Sequence, residues 1–115
     1  MKREELMIND IVFDYTKTPV KVCAVGQDIV VKNSFGVGSL EPNELSPIPL
    51  TEEILVKNGF VKTWNGDWQL KEYSTIIISK DYYVEIFERT IRIDYVHELQ
   101  HILHSACVEK ELVID

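Results

Sequence analysis

Residues 9–33, NDIVFDYTKTPVKVCAVGQDIVVKN, decide the fold of the first part of the chain. Three short apolar groups, Ile11 to Phe13, Val20 to Val25 and Ile29 to Val31, are each bounded by Asn, Asp, Pro or Gly. Short apolar runs between such turn formers are typical of antiparallel strands. Because strands this short must curl to cover a core, the segment predicts an SH3-like small antiparallel sheet or half-barrel.

The next stretch, NSFGVGSL at residues 33–40, contains Gly36 and Gly38 on either side of Val37. We interpret it as a loose hairpin or bulge. A phosphate-binding loop would need a Gly-x-Gly-x-x-Gly run or a Walker lysine leading into a helix, and neither pattern is present. The sequence therefore predicts no nucleotide site here.

Residues 41–50, EPNELSPIPL, hold three of the four prolines of the chain. Because proline lacks an amide donor, this segment predicts an extended connector. A chain of 115 residues fits one domain of common size. We therefore expect a single domain over residues 1–115, with possible subdomains at 1–45, the SH3-like part, and 46–115.

The second part of the chain predicts a short helix followed by a meander. Thr51 is a helix start and Asn58-Gly59 a helix stop. Asn65-Gly66 predicts a type I′ turn in a two-residue hairpin loop, and it places two tryptophans near the tip. We expect both to pack on the sheet, because aromatic residues are good strand formers. These tryptophans are Trp64 and Trp68.

Two further runs, YSTIIIS at residues 73–79 and YYVEIFERTIRI at residues 82–93, predict the remaining strands. Lys80-Asp81 is the expected turn between them. Ile91 and Ile93 alternate with charged residues, which indicates that both isoleucines face a core. With the helices, these strands predict the α+β class.

Asp94 to about Lys110 is the clearest amphipathic helix in the sequence. Its apolar residues recur at helical spacing and must cover the meander. At about 100° per residue, the centre of this stripe lies nearly opposite the three histidines, which we expect on a solvated face. The stripe consists of Tyr95, Val96, Leu99, Ile102, Leu103 and Ala106, with Cys107 at its margin, and the histidines are His97, His101 and His104.

The same helix contains His-Glu-x-x-His, the pattern on the metal-binding helix of zinc hydrolases. His97 and His101 have the i, i+4 spacing that brings two imidazoles to one zinc ion, and Glu98 is the candidate general base. A catalytic zinc needs a third protein ligand, and His104 sits about 4.5 Å further along the helix. Glu109 and Glu111 are alternatives only if the chain reverses sharply. We favour a helix surface over a zinc site.

Composition and charge narrow the function classes. The chain is 45% hydrophobic and 27% charged, as in ordinary globular proteins. Its net charge is −7, and no cluster of Lys and Arg appears, which counts against nucleic acid as a ligand. No apolar run has the length of a membrane span and the N-terminus lacks the pattern of a secretory signal, so we expect a cytoplasmic protein. Cys23 and Cys107 fit no metal or redox spacing and are expected to be buried free thiols.

Three motifs, EELMINDIV, PIPLTEEILVKNGF and YVHELQHIL, occur in this order along the chain. In these motifs the chain resembles small uncharacterised proteins of Bacteroidetes genomes and their phages. The resemblance implies a compact α+β protein encoded by a phage or mobile element, and it implies no catalytic residue. The last motif of that group usually reads Tyr-Val-His-x-Leu-Gln, without the second histidine.

The sequence thus leads to three functional hypotheses. The first is a non-enzymatic interaction or accessory protein of a phage or mobile element, which binds a protein partner. The second is a zinc-dependent hydrolase that uses His97, His101 and Glu98. The third is a nucleic-acid-binding module formed by the N-terminal barrel, which the acidic net charge disfavours.

Overall fold

A computed structural model describes residues 1–73, 75–86 and 88–114. The fold is α+β, with two antiparallel sheets and two α-helices, as the sequence predicts. The chain packs as two compact units, Met1–Ile48 and Pro49–Asp115, and their boundary lies within the proline-rich residues 41–50. We call them the N-terminal unit and the C-terminal unit. The expectation of one domain over the whole chain stays a prediction.

The N-terminal unit is built on a four-stranded antiparallel sheet in the order β1-β2-β3-β4. The predicted apolar groups are all strands, and the glycine segment, expected as a loose hairpin, forms the fourth. The sheet is compatible with the expected SH3-like half-barrel. Its strands are β1 (Ile11–Phe13), β2 (Pro19–Val25), β3 (Ile29–Asn33) and β4 (Gly36–Leu40), and 3-10 turns lie at Arg3–Glu5 and Pro42–Glu44.

Alternate residues of β1, β2 and β3 form the core of this unit. The side chains on one face of the sheet are buried together with two leucines from the flanking segments. Between Val22 and Ala24 the register shifts, so Cys23 is an extra residue in β2. Such a bulge bends the strand and increases its twist. The core residues are Leu6, Val12, Val20, Val22, Ile29, Val31 and Leu45.

The C-terminal unit contains a five-stranded antiparallel meander in the order β5-β6-β7-β8-β9. The predicted meander is therefore confirmed. A short helix precedes it and a longer helix follows it. The elements are α1 (Glu52–Lys57), β5 (Phe60–Lys62), β6 (Trp68–Leu70), β7 (Ile77–Ile78), β8 (Tyr83–Ile86), β9 (Arg89–Arg92) and α2 (Val96–Ser105).

The run at residues 82–93 is two strands rather than the single strand that its composition predicts. Ile86 pairs with Arg89, so the chain reverses between them, and Glu88 has a left-handed backbone with φ of 61°. Ile93 is buried, whereas Ile91 on β9 is exposed, so only one of the two expected core isoleucines is confirmed. Ser74 and Phe87, which belong to the two predicted runs, lie outside the described residues.

The hairpin at Asn65-Gly66 forms, but its loop differs from the predicted type I′ turn. Thr63 N donates to Asp67 O at 2.7 Å and Gly66 N donates to Thr63 O at 3.0 Å, so the loop holds three residues. Gly66 has φ of 91°, which suits a type I turn followed by a left-handed glycine. As a result Trp64 is 97% exposed at the tip, while Trp68 on β6 is only 5% exposed. The prediction that both pack on the sheet holds for Trp68 alone.

Helix α1 begins and ends where the sequence predicts. The Thr51 hydroxyl accepts a hydrogen bond from Ile54 N at 3.3 Å, and Gly59 follows the helix with φ of 88°. Asn58, the last residue before this glycine, is buried and links the helix to the C-terminal segment. Its Nδ2 donates to Ile54 O and to Val113 O, and Val113 N donates to its Oδ1 at 2.6 Å. The Asn58 amide thus pairs with Val113 as a neighbouring strand would.

Helix α2 ends at Ser105, several residues before the predicted end. The buried side chains Val96, Leu99, Ile102 and Leu103 confirm most of the predicted stripe. Cys107 lies beyond the helix with φ of 59° and is exposed, and Cys23 is half-buried. The expectation of two buried thiols is therefore wrong, because the helix stops before Cys107 and the bulge turns Cys23 away from the core.

We expect Leu99→Ala to lower the free energy of unfolding by about 2–5 kcal/mol, because truncating a fully buried leucine leaves a cavity. His104→Ala is the matched control on the exposed face of α2, and we expect a change within about 0.5 kcal/mol. Urea denaturation of both variants measures the difference. Equal and small effects would show that Leu99 is not a core residue.

We expect Asn58→Ala to cost about 1–3 kcal/mol of stability, because it removes three hydrogen bonds and leaves polar groups of a part-buried segment without their partner. Asn43→Ala, at an exposed asparagine, is the control. The specific readout is hydrogen exchange of the Val113 amide, which should become faster in Asn58→Ala. An unchanged exchange rate would contradict the pairing of Asn58 with Val113.

Candidate functional site

The histidine motif lies in the first two turns of α2, but its residues do not share a solvated face. His97 is only 5% exposed, so its expected solvated position is wrong. The Tyr95 ring stacks on its imidazole with centroids 5.9 Å apart and planes 16° apart. His97 directly follows buried Val96 in the first turn of α2, and the helical periodicity alone does not predict its burial.

His101 does come close to His97, as the i, i+4 spacing predicts. Their ring centroids are 5.5 Å apart with an interplanar angle of 80°, an edge-to-face contact between two rings. His101 is half-buried, and His104, one turn further on, is exposed. The motif therefore brings two histidines together in an arrangement that side-chain packing explains.

Glu98, the candidate general base, serves as the N-terminal cap of α2. Its Oε1 accepts hydrogen bonds from Asp94 N at 2.8 Å and Tyr95 N at 3.1 Å. A glutamate at the third helical position commonly satisfies the free amides before the first turn in this way, and its negative charge suits the helix N-terminus. The carboxylate thus has a structural role that needs no metal.

A zinc site would need further ligands near the histidine pair. Within residues 1–73, 75–86 and 88–114, no group of three or more His, Cys, Asp or Glu side chains is placed to hold a metal ion. Glu109 and Glu111 are both exposed beyond the end of α2 and do not complete such a group. The third ligand that a zinc hydrolase needs is thus not found beside the histidine pair among the described residues, and the zinc hydrolase hypothesis stays a prediction.

A shallow depression beside α1 is lined by Glu52, Glu53, Val56, Lys57 and Trp68. Lys62 lies over its aromatic floor, with its Nζ 5.6 Å from the Trp68 ring and 3.7 Å from Glu52 Oε1. Burial raises the pKa of the nearby Tyr82 phenol, and the charge of Glu52 raises it further. A lysine of the same chain therefore already contacts both the indole and a carboxylate that line this depression.

The β3–β4 hairpin presents the most exposed apolar surface of the N-terminal unit. Phe35 at its tip is 93% exposed and Val37 on β4 is 72% exposed. Phe35 N donates to Asn33 Oδ1 at 2.9 Å, which holds the loop that projects the aromatic ring. Residues 36–39 are exposed throughout, so the whole strand faces solvent on its outer side.

Strand β4 is also an edge of the four-stranded sheet, and no described strand pairs with its outer side. Asn33 pairs with Gly36 across the two-residue loop, which makes this the closing hydrogen-bonded pair of the hairpin. Since hydrogen-bonded and non-bonded pairs alternate, the N–H and C=O groups of Val37 and Ser39 point away from β3. We call these groups, with Gly36–Leu40, the β4 edge.

The other three edge strands among the described residues are β1, β5 and β9. Each has a feature that natural proteins use to prevent another strand from pairing with an edge. β1 is covered by Ser46, since Phe13 N donates to Ser46 O at 2.9 Å and Ser46 N to Phe13 O at 3.0 Å. β5 has only three residues and ends in Lys62, and β9 begins and ends with an arginine. Edge charges and short strands hinder the addition of another strand. By contrast, residues 33–40 contain neither a charge nor a proline.

Gly38 leaves open space on its face of β4. A Cβ at this position meets no atom of the described residues within 4 Å, and its φ is not in the left-handed region. Neither packing nor backbone strain within this chain therefore requires a glycine here. A glycine inside a strand often marks a place where another backbone approaches closely.

No family model, no curated protein and no solved structure matches this chain. Function must therefore be inferred from the residues and their geometry. None of the helices in the described ranges is long and apolar enough to cross a membrane.

The β4 edge was not found from the sequence, where NSFGVGSL was interpreted as a loose hairpin or bulge. The available signal was its composition, because eight successive residues lack charge and proline while including exposed β-formers. The edge position itself depends on the strand order, which the local sequence does not contain.

We expect protein purified without a histidine tag to contain less than stoichiometric zinc, and chelation to leave its melting temperature unchanged. The role of Glu98 provides a second readout. Glu98→Gln keeps a side-chain oxygen that accepts the two amide hydrogen bonds, so stability should change little, whereas Glu98→Ala should cost about 0.5–2 kcal/mol. One zinc per chain that is lost in His101→Ala, with metal-dependent hydrolysis lost in Glu98→Gln, would overturn this assignment.

Proposed function

We propose that this protein is a non-enzymatic interaction protein that accepts an extended segment of a protein partner as an additional strand beside β4. The observation that carries the proposal is the β4 edge, which combines outward backbone groups, exposed apolar side chains and no protecting charge. Strand addition uses these features, because main-chain hydrogen bonds supply affinity and alternate side chains supply specificity.

The exposed Phe35 and Val37 strengthen this proposal. Aromatic residues are frequent anchors at protein interfaces, and an exposed ring on a hairpin tip held by Asn33 requires little ordering on binding. A partner strand beside β4 would cover Val37 and satisfy the backbone of Val37 and Ser39. The edge would then be protected by the partner rather than by charges of its own.

The resemblance to small proteins of Bacteroidetes genomes and their phages supports a role as an accessory protein of a phage or mobile element. We also propose a cytoplasmic location, which the two free thiols Cys23 and Cys107 support, because a reducing compartment maintains thiols in this form.

Selection of random displayed peptides against the protein tests the proposal. We expect the selected peptides to slow hydrogen exchange at Val37 and Ser39, because an added strand would hydrogen-bond to those groups. Val37→Glu should weaken the selected peptides at least about tenfold, since a charge on an edge strand opposes strand addition. Val56→Glu adds the same charge to an exposed valine of α1 and should leave binding unchanged.

A second variant separates edge pairing from side-chain contact. Ser39→Pro removes an outward N–H and should abolish binding while the β3–β4 ladder remains. Peptides that protect another region, or that bind Val37→Glu and Ser39→Pro as tightly as the parent protein, would contradict strand addition at β4.

A further inference from the structure

The outer face of the N-terminal sheet has an unusual distribution of charge. The only charged residues within its four strands are Lys21 on β2 and Lys32 on β3, and they are register partners. The seven acidic residues of Met1–Ile48 all lie outside the strands, in turns and flanking segments. The strands themselves therefore contribute only positive charge to this face, although the unit as a whole carries five basic and seven acidic side chains, a net charge of −2.

These lysines belong to one row that crosses all four strands. Ile11 pairs with Lys21, Lys21 with Lys32, and Lys32 with Val37. Residues paired in this way project on the same face of a sheet. Lys32 is the lysine of this row that lies next to β4.

A strand added at the β4 edge would extend this row by one residue. Strands lie about 4.8 Å apart, so the added strand would be about 10 Å from β3. The flexible four-carbon side chain of Lys32 spans much of that distance. The side chain of a glutamate on the added strand spans the rest by leaning over Val37. The residue that pairs with Val37 is thus within reach of an ion pair.

The opposite face of the same strand has different chemistry. Gly38 pairs with Val31, which is buried, and a Cβ on Gly36 or Gly38 meets no described atom within 4 Å. A large side chain across from a glycine in a sheet can fold over it and bury apolar area on both strands. This face therefore favours bulky apolar side chains on the added strand.

We infer that the segment accepted by the β4 edge places bulky apolar residues across from Gly36 and Gly38, and an acidic residue across from Val37, within reach of Lys32. The inference rests on the proposed strand addition and names the chemistry of the partner. It accounts together for the exposed lysine of β3 on one face and for the uncrowded glycines on the other.

Three peptides of about ten residues, long enough for one strand, test this inference. They share alternating aromatic or β-branched residues and carry Glu, Gln or Lys at the other positions. Titration into the isotopically labelled protein is followed by the amide resonances of Val37 and Ser39. We expect the Glu peptide to bind about three- to tenfold more tightly than the Gln peptide, and the Lys peptide to bind most weakly, because each exposed ion pair contributes modestly.

Two substitutions identify the residues that set this preference. Lys32→Gln should reduce the advantage of the Glu peptide over the Gln peptide to less than about twofold. Lys57→Gln removes an exposed lysine of α1 and should keep the full preference. Raised salt should likewise weaken the Glu peptide more than the Gln peptide, because exposed charges are screened.

The outcomes separate this inference from the proposed function. Equal binding of the Glu and Gln peptides, with shifts at Val37 and Ser39, would refute the acidic preference and leave strand addition intact. If no peptide shifts those amides, both ideas fail. Tighter binding of a single-stranded oligothymidylate, with loss in Lys32→Gln, would show that Lys32 recognises phosphate and would also overturn the inference.

Discussion

The register between β3 and β4 is the constraint on which the proposed interaction surface depends. Lys32 lies opposite Val37, and Val31 lies opposite Gly38. Since side chains alternate with a period of two, a slip of one residue would turn Val37 toward the core face and Gly38 toward the outer face. The short loop at Ser34 and Phe35, held by Asn33, maintains this register. One turn thus determines both the open backbone groups and the chemistry on each face.

The residues of the His-Glu-x-x-His motif have structural contacts that account for their spacing. Glu98 accepts two amide hydrogen bonds at the start of α2, and Leu99 is fully buried. His97 is enclosed beside Tyr95, and His101 contacts it edge-on one turn later. The i, i+4 spacing that would bring two ligands to a metal also brings two rings into packing contact. A capping box that overlaps a pair of histidines therefore accounts for the spelling of the motif through packing and capping contacts.

Local signals predicted much of the fold because turn-forming and capping residues act on backbone that is only a few positions away in the sequence. β1 was predicted with its observed bounds, and Thr51 and Gly59 mark the ends of α1 through a hydroxyl acceptor and a left-handed backbone. The reversal near Glu88 was missed, since no glycine, proline or asparagine indicates it. Likewise, the Asn65-Gly66 hairpin was found but its loop type was wrong, because both loop types accept these residues.

By itself, the sequence determined the α+β class, the first three strands of the first sheet, the meander and most of the apolar stripe of α2, because these follow from local periodicity and turn chemistry. Only the tertiary structure decided which residues became accessible. The open edge of β4 depends on the order of all four strands in the sheet, which no local segment contains. A strand carries the same residues whether it lies at the centre or at the edge of a sheet, so strand order alone decided that Gly36–Leu40 would present an unpaired backbone.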